Sequence, residues 1–488
     1  MNNKVLKNAF AQFFGKLLTV LVAFVVVKII SGFGTTFYGN YVTTYEFLAF
    51  FGILADAGLF AIAVREISKF EQKQKTGEAL LSPEENTKFI LGNILSMRLL
   101  LILGATLFAG ITAQFIPSFS LAVKLGIWIT GLSMALTIVA GTLSSILQAR
   151  MKIHFFSGSL VIGKIVLAIL IFLISFLWSG IKAPETLFFL FLWAGVISNL
   201  IFCLLVYFFV SREIKIQLKF NFDWWKKVFK VSLPYGAALV LQTLYLRVDL
   251  ILISIILGAG AVGIYGVSAR VLESFLVLGV FFGQAILPKI SAEEHCHKTS
   301  SKTLSWGIEK LLIFSLPILI GVYFFAPDII LLLSSEEFLS KPNFFGADKI
   351  LLILTPTVFF AYFNQLFSFS LVSKNRQSYL LFVNATALIF NVLLNILFLK
   401  KFGIKAAAFS TIFCETLVFL LLSWEISKHF TFYLSLSNIL YIFGINTVLF
   451  GIIFLTPLKQ NLILAIVFCS LIYLSFLWRF RKKLLTKE

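Results

Sequence analysis

The sequence predicts an all-α polytopic membrane protein of about 14 transmembrane helices: two parallel-repeat six-helix bundles and a C-terminal helix pair. Apolar residues form 59% of the chain, and the mean hydropathy of +0.98 is far above that of a soluble domain. Apolar runs of about 20 residues, long enough for a helix to cross a bilayer, recur along the chain. A third observation, an internal repeat, indicates two related halves.

The internal repeat joins residues that lie 224 positions apart. The matched pairs are Gly34–Gly258, Gly39–Gly263, Tyr41–Tyr265, Arg150–Lys374 and Lys152–Arg376. The offset stays constant from residue 34 to residue 152, which indicates homologous halves. Paired halves in an apolar chain are typical of transporters.

The apolar runs place the expected spans. They lie over residues 9–30, 42–64, 89–115, 120–147, 154–178, 186–210, 232–256, 261–287, 307–326, 350–372, 377–399, 406–426, 434–456 and 461–478. Because six spans is an even number, both halves enter the membrane from the same side. The predicted organisation is an N-terminal lobe (1–210), a cytoplasmic amphipathic linker (211–230), a C-terminal lobe (231–428), and an extra helix pair with a basic tail (429–488).

Span nine carries two features with structural consequences. Pro317 interrupts its middle and predicts a kink. Glu309 and Lys310 lie at its inner end, where we expect them to reach water.

Basic residues are distributed unevenly between the two sets of loops. Most of them fall in the loops that share a side with the N-terminus, so the positive-inside rule places both termini in the cytoplasm. The same rule accounts for the net charge of +19 without nucleic acid. Lys400, Lys401 and Lys405 form an outer cluster that departs from the rule.

Ionisable residues occur inside the predicted spans, where a charge costs at least about 2.5 kcal/mol. The cations are Lys16, Lys28, Arg98, Lys164, Arg247 and Arg270, and the anions are Glu46, Asp56, Asp249, Glu273 and Glu415. Arg270 and Glu273, three residues apart, share a helix face and can pair. Arg247 and Asp249, two apart, do not face each other, so at least one needs a partner elsewhere.

Two interpretations of these charges stay open. In the first, they form interhelical pairs that fix the packing, and Lys16 snorkels to the inner interface. In the second, they line a pathway. Cations outnumber anions in spans one, seven and eight, and a cationic cavity suits an anionic substrate such as a pyrophosphate head group. Glu46, Asp56 and Glu415 would then bind coupling ions or protons.

Motifs for enzymatic chemistry are absent from the sequence. It contains no GxxxxGK[ST] loop, no HExxH and no GxSxG. The four cysteines are scattered, so they predict neither a disulfide framework nor a zinc site. We expect no catalytic residues, no metal and no other cofactor.

Span seven and the start of span eight, SLPYGAALVLQTLYLRVDLILISIILGAGAVGIYGVSARVLE, carry a family resemblance. This segment resembles the central signature of the polysaccharide transporter family, the Wzx-type flippases of lipid-linked oligosaccharides. The matching residues are Pro234, Asp249, Gly258, Gly263, Tyr265, Ala269 and Arg270. In the first half, Asn8, the Gly39–Tyr41 turn and Asp56–Gly58 are similar to the same family.

The resemblance implies the fold of the multidrug/oligosaccharidyl-lipid/polysaccharide (MOP) exporter superfamily, with two MATE-like bundles around a V-shaped cavity. It implies an alternating-access flippase in the bacterial cytoplasmic membrane. Such proteins move undecaprenyl-pyrophosphate-linked oligosaccharide repeat units to the outer leaflet, for polysaccharides such as lipopolysaccharide O-antigen. A polysaccharide polymerase and a chain-length regulator are the implied protein partners.

The resemblance also implies roles for the intramembrane charges. The phosphate contacts would be Arg247, Arg270 and Lys28, with Lys164 and Arg98 as secondary candidates. The coupling-ion candidates are Asp56 and Asp249, together with Glu46, Glu273 and Glu415.

Three alternatives stay open beside this expectation. A lipid II flippase usually shows arginines in its first two helices, where this chain has lysines before Arg65. A cation-coupled multidrug or metabolite antiporter would normally have twelve spans and an acidic cavity. A membrane enzyme of the same pathway, such as a polymerase or ligase, needs a large outer catalytic loop, whereas the longest outer loop here, 326–349, is short.

Overall fold

A computed structural model describes residues 3–56, 58–75, 83–177, 184–293, 297–374 and 376–479. Over these ranges the regular structure is helical, apart from one isolated bridge between Lys341 and Phe344. The α-helices are α1 (Asn3–Ser31), α2 (Thr35–Asp56), α3 (Leu59–Lys75), α4 (Pro83–Gln114), α5 (Leu121–Ala149), α6 (Ile153–Leu177), α7 (Pro184–Ser211), α8 (Phe222–Ile256), α9 (Ala259–Ala292), α10 (His297–Leu333), α11 (Ala347–Leu354), α12 (Pro356–Ser373), α13 (Gln377–Phe402), α14 (Ile404–His429), α15 (Leu436–Leu455) and α16 (Leu462–Arg479). In the described part of the chain, 11 spans are long and apolar enough to cross a membrane. The predicted all-α, multi-pass fold class is confirmed.

The helices follow the predicted spans when two interrupted spans are each counted once. α2 and α3 are separated near Gly58, which has a φ of +74° that favours glycine. α11 and α12 are separated at Thr355, and Pro356 opens α12 because its missing N–H needs no helical partner there. The predicted start of span two, at residue 42, was late, since α2 begins at Thr35.

The linker runs into span seven without a break. Phe222–Ile256 is one helix of 35 residues, so span seven begins ten residues before its predicted start at 232, and Pro234 lies within the helix. Its N-terminus is fixed to α4 by Asn93, whose Oδ1 accepts hydrogen bonds from the Asn221 N–H at 2.8 Å and from Trp225 Nε1 at 3.0 Å. Asn221 and Trp225 of the linker therefore hold the start of a membrane helix in place.

α10 differs from the expectations for span nine. Its non-helical residue is Phe325, two positions before Pro327, whereas Pro317 lies in regular helix. Because α10 begins at His297, Glu309 and Lys310 lie well inside it, and both are buried rather than in water. The Glu309 carboxylate accepts from the Ser435 N–H at 3.1 Å and from Asn438 Nδ2 at 2.9 Å. A carboxylate at the N-terminus of α15 is well placed to stabilise that helix end.

The chain forms two compact units, residues 1–266 and 267–488. In the first unit, one apolar core joins α3, α4, α5 and α7 through residues such as Ile67, Ile94, Ile146 and Val206. A second core joins α2, α4 and α5 through Phe47, Ala109 and Ile127, among others.

In the second unit, the extra helix pair packs against α10. Phe325, Leu449, Ile453 and Ala465 form a core shared by α10, α15 and α16. The Tyr473 hydroxyl donates to the carbonyl of Ile313 at 2.6 Å, which fixes α16 to α10. The pair that the repeat leaves over is thus an integral part of this unit.

The two repeat-related glycines Gly39 and Gly263 meet each other inside the first unit. A Cβ on Gly39 would lie 1.7 Å from the carbonyl oxygen of Ala259, and one on Gly263 would lie 2.1 Å from that of Thr35. Ala259 is the repeat equivalent of Thr35, so the contact is reciprocal. Glycine costs about 1 kcal/mol in a helix interior relative to alanine, and here the close approach of α2 and α9 requires it.

The same symmetry sets the start of both helices. Gly34 and Gly258 precede α2 and α9 with φ of +100° and +85°. Their carbonyls accept the first helical hydrogen bonds, from Tyr38 and Val262. The repeat read from the sequence is therefore a repeat of backbone conformation.

Glu213, after α7, joins the loop between α5 and α6. Its carboxylate binds Arg150 Nη1 at 2.9 Å and Lys152 Nζ at 2.5 Å. The hydrogen bond from Lys152, aided by Arg150, holds the pKa of Glu213 below its usual range. A carboxylate with a lowered pKa contributes stability above its unfolded pKa of about 4.3, and this stability is lost as the pH falls through the folded value.

We therefore expect Glu213→Gln to lower the melting temperature in detergent at pH 7. The loss in the free energy of unfolding should be no more than about 1 kcal/mol, because the ion pairs are partly exposed. The difference from the wild type should shrink as the pH falls below about 4.3 and should vanish once the pH lies below the lowered pKa of folded Glu213. Glu336→Gln, at an exposed position, is the control. A difference that persists at acid pH would contradict an ionic role.

Candidate functional site

An ion pair at membrane depth connects α2 to α8 in the first unit. Arg247 Nη1 donates to Oε2 of Glu46. The Glu46 side chain is 5% exposed and that of Arg247 is 32% exposed. A buried carboxylate is stable in such a place when a cation pairs with it, and about a third of the Arg247 side chain remains exposed.

Asp249 follows Arg247 by two residues and contacts a different helix. The Tyr265 hydroxyl, on α9, donates to Asp249 Oδ2 at 3.3 Å, and both residues are buried. As their spacing predicts, Arg247 and Asp249 find partners on separate helices. Together they connect α8 to α2 and to α9, next to the crossing of Gly39 and Gly263.

Arg270 pairs within its own helix, in the second unit. Its Nη1 donates to Glu273 Oε2 at 2.8 Å, and the two side chains are 38% and 44% exposed. The spacing of three residues predicts this pairing. Arg270 is the repeat equivalent of Glu46, so the two halves carry opposite charges at matching positions.

The secondary cationic candidates occupy separate helices of the first unit. Arg98, on α4, is buried and donates to Thr142 Oγ1 on α5 at 2.8 Å. Lys164 is half-buried on α6, and Lys28 is exposed in the last turn of α1, where a cation complements the helix dipole. The Arg98 contact connects two packed helices, while Lys28 is the most accessible of the three.

The remaining acidic candidates also lie apart. Glu415, on α14, is buried, and Asn364 Nδ2 on α12 donates to its Oε2 at 2.6 Å and to its carbonyl at 3.1 Å. Asp56 closes α2, and its side chain lies outside the described residues.

Sequence reasoning assigned Arg247 and Glu46 to different tasks, whereas the structure pairs them. It also missed Glu309, Asn364 and Tyr265 as partners of the buried polar groups. A polar residue inside an apolar span was the available signal for each of them, because buried polar groups require hydrogen bonds.

No group of three or more His, Cys, Asp or Glu side chains able to hold a metal ion occurs in the parts of the chain that the structure covers.

Comparison with protein families gives two matches. A family model described as "Polysaccharide biosynthesis protein" matches residues 5–294, more than half of the chain. A second model, MatE, matches residues 234–397. Among curated proteins, an uncharacterised membrane protein of Methanocaldococcus jannaschii is 28% identical over 252 residues, 50% of this chain and 47% of the relative. The chain thus spans about half the length of that relative.

Solved structures match over nearly the whole chain. A lipid II flippase, MurJ, in an inward closed conformation has a TM-score of 0.73 at 18% identity, covering 98% of this chain and 99% of its own. An inward-facing MATE family multidrug transporter of the MOP superfamily has a TM-score of 0.65 at 14% identity, covering 86% and 98%. A MOP superfamily transporter from Pyrococcus furiosus has a TM-score of 0.57 at 14% identity, covering 87% and 96%.

At 14–18% identity, these solved structures show similarity of fold alone, whereas the family model matches the sequence. Both agree with the resemblance carried by residues 232–273. The chain belongs to the polysaccharide biosynthesis protein family, and its fold is similar to that of the solved MurJ and MATE structures.

Proposed function

We propose that this protein is an alternating-access flippase that moves undecaprenyl-pyrophosphate-linked oligosaccharide repeat units from the inner to the outer leaflet of a bacterial cytoplasmic membrane. The product would enter surface polysaccharide assembly, such as that of O-antigen. The family supports this proposal, and the observation that carries it is the partly exposed side chain of Arg247, paired at membrane depth with the buried carboxylate of Glu46.

The pair has the chemistry of an exchangeable anion site. A pyrophosphate presents several oxygens to a guanidinium and binds it through two parallel hydrogen bonds, so it competes well with a single carboxylate oxygen. Substrate binding would displace Glu46 from Arg247. The released carboxylate would then take up a proton or a cation, because an uncompensated buried charge is costly.

In this exchange, a predicted phosphate contact and a predicted coupling-ion residue act in the same step. Arg247 would bind the pyrophosphate, and Glu46 would couple that event to an ion. Arg270 and Lys28, both accessible, would make further phosphate contacts, with Arg98 and Lys164 as secondary candidates. Asp249, Glu273, Glu415 and Asp56 remain coupling-ion candidates.

A lipid II flippase is the second candidate, and the full-length fold similarity to such a flippase favours it. Its substrate shares the lipid pyrophosphate and differs in the sugar and peptide parts. A cation-coupled drug antiporter is favoured by the MatE match and by the fold similarity to MATE transporters, but a cationic substrate would be repelled by arginines where such an antiporter carries acids.

Translocation in proteoliposomes tests these proposals. We would measure how fast a fluorescent undecaprenyl-pyrophosphate oligosaccharide becomes accessible on the far side, with lipid II and an organic cation as parallel cargoes. Faster movement of the oligosaccharide supports the proposal, and a preference for lipid II replaces it with the second candidate. Export of the organic cation down a proton gradient, with neither lipid moved, would overturn both.

A further inference from the structure

A groove between α13 and α14 lies in the second unit. The two helices are joined through Gly403 alone, whose φ of +62° permits the tight reversal. The groove has a volume of about 400 Å³, and its apolar walls include Leu394, Phe398, Phe409 and Phe413. The aromatic residues are exposed, so the groove opens to the surroundings of the helix pair, which in a membrane are lipid chains.

Lysines gather where these two helices meet. Lys405 lines the groove, and its ammonium lies 4.2 Å from the ring centroid of Phe345. The Lys349 ammonium lies 5.7 Å from the centre of the same ring. Lys401 lies 5.4 Å from the ring of Phe402, another groove residue. Aromatic faces orient these cations without neutralising them.

None of these three lysines forms an ion pair with a carboxylate in the described part of the chain. Lys400 and Lys401 end α13 and complement its dipole, whereas Lys405 lies in the first turn of α14, where the dipole disfavours a cation. In the predicted orientation the cluster also opposes the positive-inside rule. Local structure and topology therefore do not account for Lys405.

We infer that the groove binds one anionic phospholipid, with a hydrocarbon chain between α13 and α14 and the phosphate at Lys401 and Lys405. An apolar channel that ends in uncompensated lysines matches the two parts of such a lipid, and basic pockets between membrane helices bind anionic head groups. The predicted orientation assigns the lipid to the outer leaflet. This binding does not depend on which cargo the protein moves.

The experiment uses the full-length protein in nanodiscs of phosphatidylcholine with a minor fraction of phosphatidylglycerol. The lipids that stay bound after gentle detergent release are measured by native mass spectrometry. We expect the wild type to retain phosphatidylglycerol in preference to phosphatidylcholine. Lys401→Gln with Lys405→Gln should retain it about 10- to 30-fold less, as expected for the loss of two lysines near a lipid phosphate.

Two further variants separate the groove from charge in general. Ala406→Phe keeps the lysines and fills the groove, so it should also lose the lipid. Lys226→Gln with Lys227→Gln removes the same charge from exposed positions on α8 and should retain it. Equal retention of the two phospholipids, an equal loss in the α8 variant, or replacement of phosphatidylglycerol by added undecaprenyl phosphate would overturn the inference.

Discussion

Replacing Arg247 with alanine is expected to lower translocation of the pyrophosphate-linked oligosaccharide about 10- to 100-fold, since a hydrogen bond to a charged group contributes about 1.5–3 kcal/mol. The same change takes the guanidinium away from buried Glu46, so the variant should also melt at a lower temperature. Breaking a fully buried pair costs about 3–5 kcal/mol. We expect a smaller loss here, because Arg247 is 32% exposed.

Two companion variants separate binding from folding. Arg247→Ala combined with Glu46→Gln removes the buried charge together with its partner, so it should recover stability but not transport. Arg270→Ala leaves Glu273 in an exposed position and should reduce transport with little change in melting temperature. If the double variant transported the oligosaccharide as well as the wild type, Arg247 would serve packing alone.

Replacing Gly39 with alanine is expected to destabilise the first unit by about 1–3 kcal/mol, the usual cost of overpacking. The new methyl would lie 1.7 Å from the Ala259 carbonyl oxygen, and backbone cannot move aside as a flexible side chain can. Gly263→Ala should have a similar effect for the reciprocal reason. The melting temperature of each variant in detergent measures the cost.

The double variant gives a sharper result. Both methyls act on one crossing, so a separation of α2 and α9 forced by the first methyl lowers the cost of the second. The double variant should therefore be destabilised by less than the sum of the two single effects. Gly104→Ala, at a helix position with open space around it, is the control and should be neutral or mildly stabilising. A harmless Gly39→Ala would mean that the helices do not approach this closely.

Most of the helical layout was predictable because hydropathy and the repeat act over whole segments. The predictions were wrong where the conformation of a single residue determines a helix start or a kink. The start of α2 at Thr35 follows from the conformation of Gly34, which hydropathy does not register. The kink of α10 lies at Phe325 rather than at Pro317, since a proline inside a helix can be accommodated in one place and not in another.

The charged residues of the candidate site could be predicted from the sequence, but most of their partners could not. The cost of charge in hydrocarbon marks Arg247 and Glu46, but 201 positions separate them and only packing brings them together. Spacing within one helix did predict the pair of Arg270 and Glu273, because three residues is less than one turn. The burial of Glu309 escaped prediction, since it depends on the start of α15, whose N-terminal groups bind it.

The reciprocal contact of Gly39 and Gly263 bears on the origin of the chain. In a two-fold symmetric dimer, a surface patch meets its own copy, so residue i contacts j and j contacts i. Thr35, Gly39, Ala259 and Gly263 have this relation, with the copy now fused into the same polypeptide. An ancestral half-length protein would have used one glycine twice, and its homodimer would already have contained this crossing before duplication joined the halves. After fusion the two glycines can mutate separately, but a Cβ at either one meets a backbone carbonyl of the other helix, so the crossing requires glycine at both positions.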